Sequence, residues 1–156
     1  MKAKILFVVF FLIFFISSCP SPEDPNTPKK GAIITITVDK TPILMGWNSA
    51  ISIWCMEPIV TVKETNGVGV NATKVRIEFV SQGMGGYEVQ ETAGGRINAY
   101  GSYTFNLQVC TEHGYESTKF TILGIDDNGH NVNTSAEFAL FYVGGGAKKL
   151  VNKGRD

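Results

Sequence analysis

Cys19, Cys55 and Cys110, together with His113, His130 and Trp47, are the residues of this 156-residue chain whose chemistry depends most on where the fold places them. Cys19 closes the run Ile16-Ser17-Ser18-Cys19, behind the basic residues Lys2 and Lys4 and an unbroken apolar stretch over residues 5–16. A positive head and an apolar run of that length make an export signal, well short of the about 20 residues that a membrane span needs. Cys110-Thr111-Glu112-His113 has a cysteine-histidine spacing that zinc can use, but no matching second pair follows. His113 and His130 both sit in turn-like contexts, and neither has a nucleophile or an orienting acid in a recognisable motif. Asp126-Asp127-Asn128-Gly129 offers clustered oxygens to a hard cation, yet its spacing departs from the twelve-residue calcium loop and no Glu closes it. A hairpin turn with positive φ at both central residues, Asn128 and Gly129, is the simpler reading. Trp47, in Met45-Gly46-Trp47-Asn48, either presents an indole face to a sugar or peptide or plugs one end of the fold.

Composition sets what must hold these residues. Aromatic residues are 11% of the chain, and Val, Ile and Thr are frequent, which favours strands. Residues 31–143 carry six Lys or Arg against eleven Asp or Glu, whereas residues 144–156 carry four basic residues and one acidic. Nucleic acid is not an expected partner of such an acidic body. Residues 20–30 contain four prolines and no large apolar side chain, so they read as a tether. In polyproline-like conformation it would reach up to ~34 Å. The stretch from Gly144-Gly145-Gly146 to the end reads as a flexible basic tail.

Between tether and tail the apolar residues recur with period two, the mark of strands whose successive side chains face opposite sides of a sheet. Val75, Ile77 and Phe79 share one face, against Lys74, Arg76 and Glu78 on the other. Tyr103, Phe105, Leu107 and Val109 form a second inward set. Further strands are expected over 32–38, 59–64, 120–126 and 136–143, with Val60 and Val62 facing inward, and a short one over 87–91. Asn66-Gly67, Gly94-Gly95, His113-Gly114 and Asn128-Gly129 supply turns. About seven short antiparallel strands in one domain predict an all-β two-sheet sandwich.

Two resemblances extend this reading. The residues around Cys19 resemble the lipobox of bacterial lipoproteins, which implies cleavage before Cys19, removal of residues 1–18 as a lipoprotein signal peptide, and diacylglycerol on the Cys19 sulfur with palmitate-type acylation. Pro20 and Ser21, in place of an acidic residue, resemble outer-membrane lipoproteins of bacteria with two membranes. With Cys19 occupied, Cys55 and Cys110 remain an even pair in an oxidising compartment, and a disulfide between them is expected. Ile59-Val60-Thr61-Val62-Lys63-Glu64-Thr65-Asn66-Gly67 and Phe120-Thr121-Ile122-Leu123-Gly124-Ile125-Asp126-Asp127-Asn128-Gly129 resemble an early strand with its turn, and the final hairpin, of bacterial immunoglobulin-like domains. In such a sandwich the second and fifth strands pair, so Cys55 and Cys110 should meet on neighbouring strands of one sheet, on its outer face. Trp54 beside Cys55 departs from the antibody pattern, in which the tryptophan lies midway between the cysteines. Tyr115 is expected to make a tyrosine-corner-like contact with backbone.

The sequence therefore predicts a signal peptide over 1–18, a lipidated tether over 19–30, an immunoglobulin-like domain over 31–143 and a tail over 144–156. Function is expected to be binding or structural work in a bacterial envelope, without catalysis, metal or cofactor, through a membrane anchor at Cys19 and a protein or glycan partner. An accessory glycan-binding lipoprotein using Trp47 is the alternative. An envelope hydrolase is a third class, weakened by the missing nucleophile-base motif.

Overall fold

The computed structural model describes residues 28–81 and 89–144. Cys19, the tether up to residue 27 and the tail from residue 145 lie outside the described residues, as do Tyr87, Glu88 and the glycine run at 83–86. Everything described is strand, turn or irregular backbone, arranged as two sheets. The strands are β1 (Ile34–Val38), β2 (Ile43–Asn48), β3 (Ile53–Met56), β4 (Ile59–Glu64), β5 (Val70–Val80), β6 (Val89–Ala93), β7 (Arg96–Ile97), β8 (Ser102–Asn106), β9 (Val109–Thr111), β10 (Ser117–Asp126) and β11 (Asn131–Val143).

Three strands, β1-β4-β8, form the smaller sheet, and β6-β5-β10-β11-β2-β3-β9 form the larger, with β7 added on β5. The described residues thus form eleven strands where about seven are expected. Periodicity does not reveal β2, β3 or the two-residue β7; β2 and β3 lack polar alternation, and β2 is held by parallel pairing with β11, from Leu140 opposite Ile43 to Val143 opposite Gly46. The fold is therefore not wholly antiparallel. The outermost strands of the large sheet, β6 and β9, are joined by Gln90, whose Nε2 donates to the Cys110 carbonyl at 2.9 Å. The large sheet is curled like a half-barrel around the small one.

The expected strand over 103–109 is two strands in different sheets. Its partner breaks at the same level: β3 and β4 are interrupted at Glu57-Pro58, and β8 and β9 at Leu107-Gln108. Register is nevertheless continuous across the corner, from Ile59 opposite Asn106 to Met56 opposite Val109. Leu107 N–H donates to Pro58 O at 3.2 Å and Gln108 Nε2 to Glu57 Oε1 at 2.8 Å, so pairing survives the bend. Pro58 introduces a corner with no shift in count.

The core draws on both sheets. Val75, Ile77 and Phe79 are buried as their alternation requires, and they meet Val60, Val62, Phe120 and Ile122. Of the second inward set only Val109 is fully buried; Phe105 and Leu107 are half-buried, and Tyr103 is 38% exposed. These three lie on or just after β8, an outer strand of the small sheet, where cover from the large sheet runs out. A bulge between Leu123 and Gly124 lets β10 approach β5 so closely that a Cβ on Gly124 would lie 2.4 Å from the Asn71 carbonyl oxygen.

Candidate functional site

The long strand β11 gives the molecule two ends about 40 Å apart at ~3.3 Å per residue. At its start lies the β10–β11 turn, and the amino-terminal approach is stitched to that end. Asn128 Nδ2 donates to Lys30 O at 2.8 Å, and Ala32 N–H donates to Asp126 Oδ2 at 3.0 Å. At its finish, β2 runs alongside and the β2–β3 hairpin projects beyond it.

That far end carries an aromatic set. Trp47 shares strand parity with the buried Ile43 and Met45, so it belongs to the inner face, but its place at the strand end leaves it 38% exposed. It pairs across the hairpin with Trp54, edge to face at 5.1 Å, and Trp54 meets Tyr142 in the same way at 4.8 Å. The expected tyrosine corner at Tyr115 is made instead by Tyr142: its hydroxyl accepts from Tyr115 N–H at 2.6 Å and donates to Tyr115 O at 2.9 Å. Tyr115 stacks on Phe79, which ties the set to the core. Trp47 is thus packed on one side against Trp54 and open on the other, on the same hairpin as the exposed tip residue Ile51. Trp54 and Tyr142 were not legible as its partners, because their meeting depends on the parallel β2–β11 pairing.

Cys55 and Cys110 are bonded, with Cα atoms 4.0 Å apart. They stand directly opposite one another on β3 and β9, next to the buried pair Met56 and Val109. Strand parity therefore puts the disulfide on the outer face, on neighbouring strands of one sheet, as expected. The bond consumes the thiol that a zinc site at Cys110 would need. His113 is exposed, and its N–H caps Thr111 Oγ1 at 3.2 Å.

Two buried carboxylates organise the near end. Glu64 is fully buried at the end of β4, where its Oε1 accepts from Ile33 and Asn66 N–H at 3.3 and 2.7 Å and its Oε2 from Gly67 and Tyr100 N–H at 2.8 and 2.9 Å. Burial alone would raise its pKa, but the four N–H groups outweigh burial and the pKa lies below the ordinary carboxylate value. Glu64 has the parity of inward Val60 and Val62 and precedes Asn66-Gly67; that combination is the signal that could have found it.

Asp126 is the second hub. Its Oδ1 accepts from Asn128 and His130 N–H at 2.9 and 2.8 Å, and its Oδ2 from Ala32 N–H and the His130 ring at 3.0 and 3.1 Å. Burial pushes its pKa up, these hydrogen bonds pull it down further, and the result is about 2. The carboxylate is occupied by donors that hold the turn Asp126-Asp127-Asn128-Gly129 and the incoming chain at Ala32. Among the described residues, no group of three or more His, Cys, Asp or Glu is placed to hold a metal. The turn itself differs from expectation, since Gly129 alone has positive φ, 87°. Gly129 N–H donates to Asp126 O at 3.0 Å, the geometry of a type I turn followed by a glycine bulge.

Because Asp126 is more acidic folded than unfolded, its contribution is complete above about pH 4 and is lost as pH falls towards about 2. The melting temperature is expected to drop through that window. Asp126→Asn should melt lower than the parent at neutral pH and show a shallower acid dependence in thermal scans between pH 2 and 7; an unchanged acid slope would contradict the assignment.

No model of a known protein family matches the chain, and no curated protein matches it. Solved structures do. A protein described as ApaA from Bordetella pertussis superimposes with a TM-score of 0.51 at 13% identity, over 72% of this chain and 98% of its own. A structural-genomics target matches with a TM-score of 0.48 at 9% identity, over 70% of this chain and 85% of its own. A beta-glucosidase from Listeria innocua, solved with glucose, gives 0.37 at 9% identity, over 80% of this chain but 19% of its own. At these identities the likeness is one of fold.

Proposed function

We propose that this chain is a lipid-anchored, extracytoplasmic immunoglobulin-like module of a bacterial envelope, which works by binding and holds its aromatic end out towards a protein or glycan partner. The observation that carries the reading is the polarity of the molecule. The chain arrives at the end organised by Glu64 and Asp126, while Trp47 and Ile51 sit at the opposite end of β11. A tether ending in acylated Cys19 would therefore leave the aromatic end farthest from the membrane.

The strand order supports the immunoglobulin-like part of the reading. β1, β4 and β8 take the places of strands A, B and E, and β6, β5, β10 and β11 those of C′, C, F and G, with β2, β3 and β9 as an added flap. Glycans are the favoured partner class if the half-exposed Trp47 edge is the contact, since sugars pack on indole faces.

Two measurements test the proposal. Cys19→Ala is expected to abolish labelling by radioactive palmitate and to release the protein from the membrane fraction; membrane association equal to the parent's, with no lipid in the parent's intact mass, would overturn the anchoring. Capture of envelope polysaccharides or proteins by the parent should be weakened about tenfold or more in Trp47→Ala, the loss expected of an aromatic hot spot. Equal capture by both would remove the far end from the binding role.

A further inference from the structure

The near end brings together carboxylates, an ion pair and lysines. Glu64 and Asp126 are buried and satisfied by backbone N–H groups, and Asp127 forms a two-pronged pair with Arg96 at 2.6 and 2.7 Å. Lys29, Lys30 and Lys63 are exposed at this end, and among the described residues none of the three has an ion-pair partner. The far end carries exposed Glu112. Of the described lysines outside ion pairs, Lys29, Lys30, Lys40 and Lys63, three thus gather at the near end.

The same near end exposes apolar and aromatic surface. Ile33 is 56% exposed and Tyr100 is 70% exposed, and they flank Glu64, to which both donate their N–H groups. Tyr100 is held with φ of 55°, an uncommon conformation for a side-chain-bearing residue, with its ring lying against Gly67. The phenol end of the ring lies over Gly67, and its outer side stays open to solvent. A tyrosine and an isoleucine at an end that also carries three lysines suit a bilayer interface, where aromatic residues sit at headgroup level and lysines meet anionic lipid.

We infer that the near end, through Ile33, Tyr100, Lys29, Lys30 and Lys63, docks on an anionic lipid surface and so orients the anchored domain. The inference rests on the proposed lipid anchor, because the chain that would lead to Cys19 arrives at this end. The tether sets a maximum distance from the membrane, and the docking surface brings the domain back to it. Docked in this way, the domain directs Trp47 away from the bilayer.

The test uses the acylated full chain in vesicles of phosphatidylglycerol and phosphatidylcholine, with brominated acyl chains as quencher. The native tryptophans Trp47 and Trp54 are both at the far end and report on it. Tyr100→Trp, and separately Ile33→Trp, add an indole at the near end. Added emission that is blue-shifted and quenched by bromine, with native emission unquenched, is the expected result. Lys29→Glu with Lys30→Glu should abolish that quenching while flotation with the vesicles persists, and so should vesicles of phosphatidylcholine alone. Flotation without quenching at either added site overturns the docking while leaving the anchor intact. Quenching of the native tryptophans would put the wrong end on the lipid. Failure of the parent to float overturns the anchor and the docking together.

Discussion

Replacing Cys55 and Cys110 together by serine is expected to lower stability by about 4 kcal/mol under oxidising conditions, the loop-closure term for the sequence separation of 55 that the bond spans. The cross-link restricts the unfolded chain, and it also fastens β9, a three-residue strand at the margin of the large sheet, to β3. Equilibrium denaturation in urea checks this: the double variant should unfold at lower denaturant, and the parent in reductant should follow the variant. Coincident curves for oxidised parent and variant would show that the bond leaves the unfolded ensemble unchanged.

Phe79→Ala is expected to cost about 3–5 kcal/mol, because the ring is wholly buried between the sheets and stacked on Tyr115, so truncation leaves a cavity that its rigid neighbours cannot fill. Phe105→Ala should cost less, about 1–2 kcal/mol, since β8 leaves that ring half in water and half of its transfer energy unrealised. Arg76→Ala, which removes an exposed pair with Glu91, should change stability by less than about 1 kcal/mol. Thermal or chemical melts of the three variants should rank in that order. Equal losses at Phe79 and Phe105 would mean that the small sheet is covered as fully as the large one.

The contrast between those two phenylalanines marks what periodicity can carry. Alternation at Val75, Ile77 and Phe79 tells which face is inward, and on a central strand inward means buried. On β8 the same alternation gives the face but not the cover, because cover depends on which strands lie opposite. β2 and β3 escape notice for a related reason: their short apolar runs gain strand character from the non-local pairing of β2 with β11 and of β3 with β9. The disulfide was legible because parity and register run unbroken through the corner at Pro58, although no local signal tells that the strand changes sheets there. At the candidate site, Trp47 could be singled out as a large aromatic suited to contact a ligand or to close one end of the fold. Its partners Trp54 and Tyr142, and the carboxylate hub at Glu64, required the topology.

The attachment of β1 has a mechanical meaning. β1 is the first strand, it leaves the fold at the near end, and it lies antiparallel to β4 over five residue pairs from Ile34 opposite Glu64 to Val38 opposite Val60. Tension applied between the amino terminus and the far end would run along β1, so its ladder bonds would be loaded in shear, all at once, and not peeled in turn. The N–H groups of Ala32 and Ile33, held by Asp126 and Glu64, lie first in the line of force. Since acid weakens those two carboxylate clamps, the force needed to extract β1 should fall with pH before the core itself gives way.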